Sequence, residues 1–405
     1  MISLAKATSL LLFGSLSMLL PLAARPAHGN SNDFQCSFSV VSKTGDSIDG
    51  SKITGILDAP VLNNKGEVVF TAAFSDGSGI VTPEKVLART GDIIDGKKLT
   101  YAAYPSLNQR GQIVFLAGYG TASGLFSESK LLIGTGATIQ GQPVMDFYAG
   151  TAINKFGEAA VEVQFGSFFP TGAGIITSFK STVDLNAVSG GIIDGKQVAG
   201  FGTPVLNDNG VLAFRADIYN PANPNDTGIL TAGPLPGSSP KFLVQSGDTV
   251  DGKTLTVFGY PSAITSCGTV IVPANFDGGS GIFGIKLSSE FLRLRCFQEE
   301  SGLLVKVGDT VGGKTLTRID QVSINKRGEL AFSAAFNGGQ GIFTTSGMLI
   351  QTGMTIAGHT LNSIRFSQAA MNDRQEIVLA GQLSDGSQVI ITGTPNRRNV
   401  LDLGL

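Results

Sequence analysis

The chain has no tryptophan, two histidines and three cysteines, and only 15% of its residues are charged. Each shortage excludes something. A zinc site needs several Cys or His at short spacing, and none exists. A Ser-His-Asp arrangement would have to be built on His359, and no nucleophile or acid marks itself as its partner. There is no basic tract, and the formal charge is −2. That argues against nucleic acid as a partner and against electrostatic contact with a membrane. Lacking tryptophan, the chain also lacks the favoured sugar-stacking side chain, although Tyr and Phe can take that role.

The first residues stand apart in composition. Lys6 gives a short positive start, Leu10 to Leu22 is an apolar run, and Ala27-His28-Gly29 offers small residues for a signal peptidase. Residues 1–29 are expected to be a signal peptide cut after Gly29; an uncleaved anchor is the alternative. Its removal takes away Lys6 and Arg25 and moves the formal charge from −2 to −4. No lipobox precedes Cys36, and no second apolar span follows. The mature protein is therefore expected to be secreted or periplasmic, with no membrane insertion after leader cleavage.

Glycine is abundant, at 54 residues, and it is patterned. The segment Asn63-x-x-Gly66, followed by Val68-Val69-Phe70, returns at Asn108, Asn154, Asn207 and Asn325, and in degenerate form at Thr265 and Asn372. A second signature, Gly-x-x-x-x-Gly, precedes every copy, beginning at Gly45, Gly91, Gly136, Gly190, Gly247, Gly308 and Gly353. Two motifs in phase, seven times, define a tandem repeat. Asn-x-x-Gly between apolar runs predicts a β-hairpin, because Asn bonds back to its own turn and Gly accepts a left-handed conformation. Asp49-Gly50, Asp95-Gly96, Asp194-Gly195 and Asp251-Gly252 predict further tight turns.

One copy reads as four strands. In the second these are Leu99 to Leu107, Gln112 to Tyr119, Gly124 to Ser127 and Lys130 to Gly134. The second strands are apolar almost without alternation, as strands covered on both faces are. The last copy has strands at Leu361 to Met371, Glu376 to Gly381 and Gln388 to Thr392, and then lacks its fourth. The first copy has a surplus strand before it, Cys36 to Lys43. The surplus strand can complete the last copy and remove an exposed edge. The expected fold is all-β: a seven-bladed β-propeller of four-stranded blades over residues 36–394, with a tail at 395–405.

The phrase Asn-x-x-Gly-x-x-Ala-Phe, matched outright by Asn207 to Phe214 and Asn325 to Phe332, resembles the bacterial secreted tandem-repeat family named for that pattern. The resemblance implies a propeller-like fold and no particular activity. The C-terminal Pro-Glu-Pro sorting tail common in that family is missing here. The hairpins also resemble those of TolB-type propellers.

The candidate chemistry is sparse. The pairs Asp46/Asp49, Asp92/Asp95 and Asp248/Asp251 would lie in loops on one face. A carboxylate ring there could take calcium, but Asp also suits turns by itself. No cofactor is expected, with calcium the lesser alternative. Asp58 and Asp320 occupy matching places on channel-lining strands. Insertions break the repeat in two adjacent copies: Phe168-Phe169-Pro170 in the third, and Tyr219 to Asp226 in the fourth. Function tends to ride on such departures. Phe168, Phe169, Tyr219, Asn220, Asn223, Asn225 and Asp226 are the candidate binding face. Three cysteines in an exported chain suggest one disulfide and one leftover. Cys267 and Cys296 fall on the same face and are the expected pair; Cys36 is left free. No catalytic or metal-binding residue is assigned. The expected function is a monomeric, non-catalytic binding module for a protein or glycan at the cell envelope. A propeller hydrolase or lyase, with Asp58 and Asp320 as its acids, is the second reading. A structural surface or matrix component is the third.

Overall fold

The structure is a computed structural model and describes residues 36–166, 172–179, 182–233, 239–287 and 301–396. All of these fall in one compact unit, Phe34–Leu405. The strands assemble into seven antiparallel sheets, each a blade, with a two-residue hairpin at Ser47–Ile48 and Ser51–Lys52 beside the first. In the second blade the order from the channel outward is Lys97–Leu107, Ile113–Tyr119, Ala122–Ser127 and Leu131–Gly134. These will be called the inner, second, third and outer strands. Every second strand is paired on both edges and packed on both faces. That is why Val68–Phe74 carries no polar alternation, and why Thr71 within it is buried.

The ring closes as the half-copies at the two ends require. Cys36–Lys43 pairs antiparallel with Gln388–Pro395, with Cys36 opposite Pro395 and Lys43 opposite Val389. One apolar cluster runs through the closure and joins Ile342 and Ile350 of the sixth blade, Val378 and Ile390 of the seventh, and Phe70 of the first. Phe38, Val40 and Val41 of the closing strand pack against it.

Several neighbouring blades are tied by a polar group at the start of a third strand. Ser78 Oγ donates to Ala102 O (3.0 Å), Ser123 Oγ to Asp146 Oδ1 (2.8 Å), and Gln340 Nε2 to Ile364 O (3.0 Å). At the closure Gln388 Oε1 accepts from Ile56 N (2.6 Å). The closing seam thus repeats the chemistry of the internal ones.

The repeat asparagines do more than shape their own turns. Asn108 Oδ1 accepts from Arg110 N (2.9 Å) and Gln112 N (3.0 Å), while Nδ2 donates to Gln112 Oε1 (2.8 Å) and to Asn154 O of the next blade (2.8 Å). All four hydrogen-bonding positions of a buried amide are satisfied. The blade-to-blade bond recurs from Asn63 to Asn108 O, Asn154 to Asn207 O, Asn325 to Asn372 O and, across the closure, Asn372 to Asn63 O. At the fifth blade Thr265 has no amide, and Ser266 Oγ reaches Lys326 O instead (3.1 Å).

The structure departs from the sequence expectation in the inner strands. Those of blades one, four and five break into two pieces, around Pro60, Pro204 and Pro261. A proline has no N–H for the ladder. In the seventh blade the inner strand is His359–Arg365, ending well before Met371. Arg365 turns aside there and donates to Leu57 O and Ile56 O of the first blade, both at 2.7 Å.

Candidate functional site

Breaks and bulges interrupt the inner strands beside the channel. Register slips between Ala103 and Ser106, between Phe147 and Thr151, and between Ile319 and Val322. A bulge adds an unpaired residue and re-aims what it carries. Tyr104 sits in the first of these with φ of 56°, an uncommon conformation for a bulky residue. It is held from both sides. Its N–H donates to Asp58 Oδ2 of blade one (3.3 Å), and its carbonyl accepts from Thr151 Oγ1 of blade three (3.1 Å).

A band of aromatic and acidic side chains follows across blades two to five. Of the six tyrosines in the chain, Tyr101, Tyr104 and Tyr148 stand on inner strands and Tyr260 in the break of the fifth blade's inner strand, and all four are exposed, whereas the phenylalanines of the second strands are buried. Two glycines make room for these rings. A Cβ at Gly118 would run into the ring of Tyr101, and one at Gly202 into that of Tyr260. Burial pushes the Tyr101 hydroxyl above the usual phenol range, helped by nearby Asp146 and Tyr104. Burial, then Glu162 and Asp146, does the same to Tyr148. Arg215 closes the band, with Nη2 at 2.6 Å from Asp217 Oδ1 and its guanidinium 5.6 Å from the Tyr260 ring centre.

Glu162 is the outlier of this band. It lies on a second strand, opposite the bulge between Phe147 and Thr151, and is 7% exposed. No described residue hydrogen-bonds its carboxyl. Burial, with the neighbouring charge of Asp217, pushes that carboxyl up to about 8.

The far end of the channel, where the Asn-x-x-Gly turns meet, is cross-braced. Asp208 of blade four bonds Lys326 Nζ of blade six (2.9 Å) and faces Lys155 Nζ of blade three (3.7 Å). Burial works against its ionised form, yet Lys326 and the backbone N–H of Lys155 hold its carboxyl below the usual range. Asn64 and Asp373 bond each other across the closure.

The residues singled out in the sequence lie as follows. Asp46, Asp92, Asp248 and Asp309 each accept the backbone N–H three residues before them, at 2.8–2.9 Å. Asp49, Asp95, Asp194 and Asp251 are left-handed, ahead of a left-handed glycine. They accept from Val86, Leu131, Phe242 and Leu303 at the outer strands. These loops are turns whose carboxylates are engaged by backbone. Asp58 accepts from Thr71 Oγ1 (2.7 Å), and Asp320 is gripped by Arg318 (2.6 and 3.1 Å), so each has its own partner. His359 faces Asp385 at 3.5 Å on the surface.

In the fourth-blade insertion, Asn220 and Asn223 both donate to Asp226, and their Oδ1 atoms accept from Ala222 and Asn225. The loop's polar groups serve its own shape, and Tyr219 projects outward, 53% exposed. Phe168 and Phe169 lie outside the described residues. Cys267 is disulfide-bonded and Cys36 is a free thiol; Cys296 lies outside the described residues. The tyrosine band was missed at the sequence level. Its available signal was Tyr directly before Pro, at Tyr104-Pro105 and Tyr260-Pro261, midway along an inner strand.

Among solved structures, the chain is similar to the β-propeller domain of Myceliophteria thermophila Cps50 (Swd1), at 14% identity over 85% of this chain and 99% of that one, with a TM-score of 0.47. It is also similar to a streptogramin B lyase (11% identity, 89% and 98% covered, TM-score 0.41). A third likeness is to prolyl oligopeptidase B from Galerina marginata (12%, 80% and 47%, TM-score 0.44), of which it spans about half the length. Such likenesses carry no argument about activity. No curated protein matches. One family model covers the propeller twice over, at residues 24–281 and 133–392, as its internal repetition allows. The chain belongs to that family, DUF7453, a family of unknown function.

Proposed function

We propose that this protein is a non-catalytic binding module of the cell envelope, and that its ligand enters the channel from the face opposite the Asn-x-x-Gly turns. One observation carries the reading: four tyrosines are exposed on or between the inner-strand segments of blades two, three and five, one of them held in a strained backbone conformation. Strain of this kind costs about 1–3 kcal/mol and persists where the surroundings enforce it, often at ligand clamps. The cross-bracing by Asp208 and Lys326 favours access from the other face, where Tyr219 also stands. The leader-like first 29 residues support an envelope location.

The test is equilibrium binding to a panel of envelope glycans and peptides, with wild type beside Tyr104→Ala/Tyr148→Ala, and with recovered ligand weighed by mass spectrometry. At least one ligand should bind wild type, lose at least tenfold in affinity to the double variant, and return unaltered. Equal binding by the variant would overturn the channel as the site. A catalytic reading has a single observation behind it, the buried Glu162 carboxyl held protonated near neutrality. It would show as an altered ligand mass that disappears in Glu162→Gln.

A further inference from the structure

We infer that the band on blades two to five binds a ligand bearing a protonated primary amine, through Asp146, Glu162 and the faces of Tyr101, Tyr104 and Tyr148. The inference rests on the channel reading above and names its ligand chemistry.

Asp146 accepts from Ser123 Oγ and from Phe147 N, both at 2.8 Å and both on Oδ1. Neither Asp146 nor Glu162 has a cationic partner among the described residues. The arginines of the wall have partners of their own. Arg215 holds Asp217, Arg318 holds Asp320, and Arg365 is bound to two carbonyls of blade one. Asp146, with no countercharge, and the Glu162 carboxyl, neutral near pH 7, therefore stand among exposed tyrosines.

Ring faces carry negative potential and attract cations. A carboxylate beside them adds a directional acceptor, which selects an ammonium with N–H over a neutral ligand. Glu162 is the second, independent sign. Its side chain is largely buried and no described residue hydrogen-bonds its carboxyl, so a donor arriving from the ligand would find it unpartnered. Its neighbours are Tyr148 in the bulge it faces and Asp217 of blade four, so the donor would arrive within the band. No cation of the chain reaches this point among the described residues, which leaves the position for a ligand.

The absence of tryptophan makes tyrosine emission a direct reporter. Cadaverine, glucosamine and N-acetylglucosamine would be titrated into the full chain, following tyrosine fluorescence, for wild type, Asp146→Asn, Glu162→Gln and Tyr104→Ala. Thermal melts would check that each variant is folded. Saturable binding of cadaverine or glucosamine is expected, with N-acetylglucosamine at least tenfold weaker. Asp146→Asn and Glu162→Gln should each weaken the amine at least tenfold. Preference between the two amines distinguishes a polyamine from an amino sugar. If N-acetylglucosamine binds as well as glucosamine, and the carboxyl variants keep it while Tyr104→Ala loses it, the amine inference is overturned and the channel reading survives. If neither amine binds wild type, the amine inference is likewise overturned, and the envelope panel decides the channel reading separately.

Discussion

Glu162 brings pH into the stability of this fold. Its carboxyl rises from an ordinary value of 4.5 to about 8 because the buried site disfavours the charged form. Below the ordinary value, folded and unfolded chains both hold the proton. Between the two values the unfolded chain releases a proton that the folded chain keeps, so stability falls as pH rises through this window. Glu162→Gln removes the term, which amounts to at most about 5 kcal/mol. The variant should melt with wild type near pH 4 and clearly above it near pH 9; identical melting at both values would show that Glu162 is solvated. Cys36 makes a second residue-scale prediction. Burial pushes its thiol up to about 11, so at pH 8 roughly one molecule in a thousand carries a thiolate. Alkylation by iodoacetamide under native conditions should be slow and should accelerate when the chain unfolds. Rapid native labelling would mean that the closing strand is frayed.

Among the elements, the Asn-x-x-Gly turn links a blade to its neighbour through a single side chain. Asn325→Ala removes a turn acceptor and two donors from a buried position, and should cost about 2–4 kcal/mol by chemical denaturation. The interruption at Thr265 permits the reverse experiment. Thr265→Asn restores an amide facing the next blade and should add about 1 kcal/mol. A loss of stability would mean that the fifth turn differs in shape from the rest. The Gly-x-x-x-x-Gly loops make a simpler prediction. Their aspartates already accept backbone N–H groups, so EDTA should leave the melting temperature unchanged. A rise with calcium that EDTA reverses would show that a cation binds these carboxylates.

At the scale of the whole molecule, stability depends on joining the ends of the chain. Cys36–Lys43 covers the edge of Gln388–Pro395, and its apolar side chains pack on a cluster shared by the sixth, seventh and first blades. Removing residues up to Lys43 bares a long strand edge and apolar surface. The truncated chain should aggregate or lose its cooperative melt. Adding the missing strand back after residue 396, as a circular permutant, should restore both. A truncated chain that melts like wild type would show that the ring does not need this strand.

The sequence alone determined the repeat, its count of seven, the four-stranded unit and the closing strand. These follow from local chemistry. A left-handed glycine, an asparagine that caps its turn and a strand covered on both faces each leave a signature within a few residues. The same chemistry made the aspartate pairs legible as turns. Only the tertiary structure decided where the candidate site lies. Tyr101, Asp146, Glu162 and Arg215 belong to three blades and are far apart in the chain. Tyr101 and Asp146 come from bulged inner strands, and Glu162 and Arg215 from the second strands behind them, a grouping no local pattern reveals. Beyond its burial, Glu162 is perturbed by the charge of Asp217 on a neighbouring blade, so the glutamate reads as an ordinary strand residue until the ring is closed.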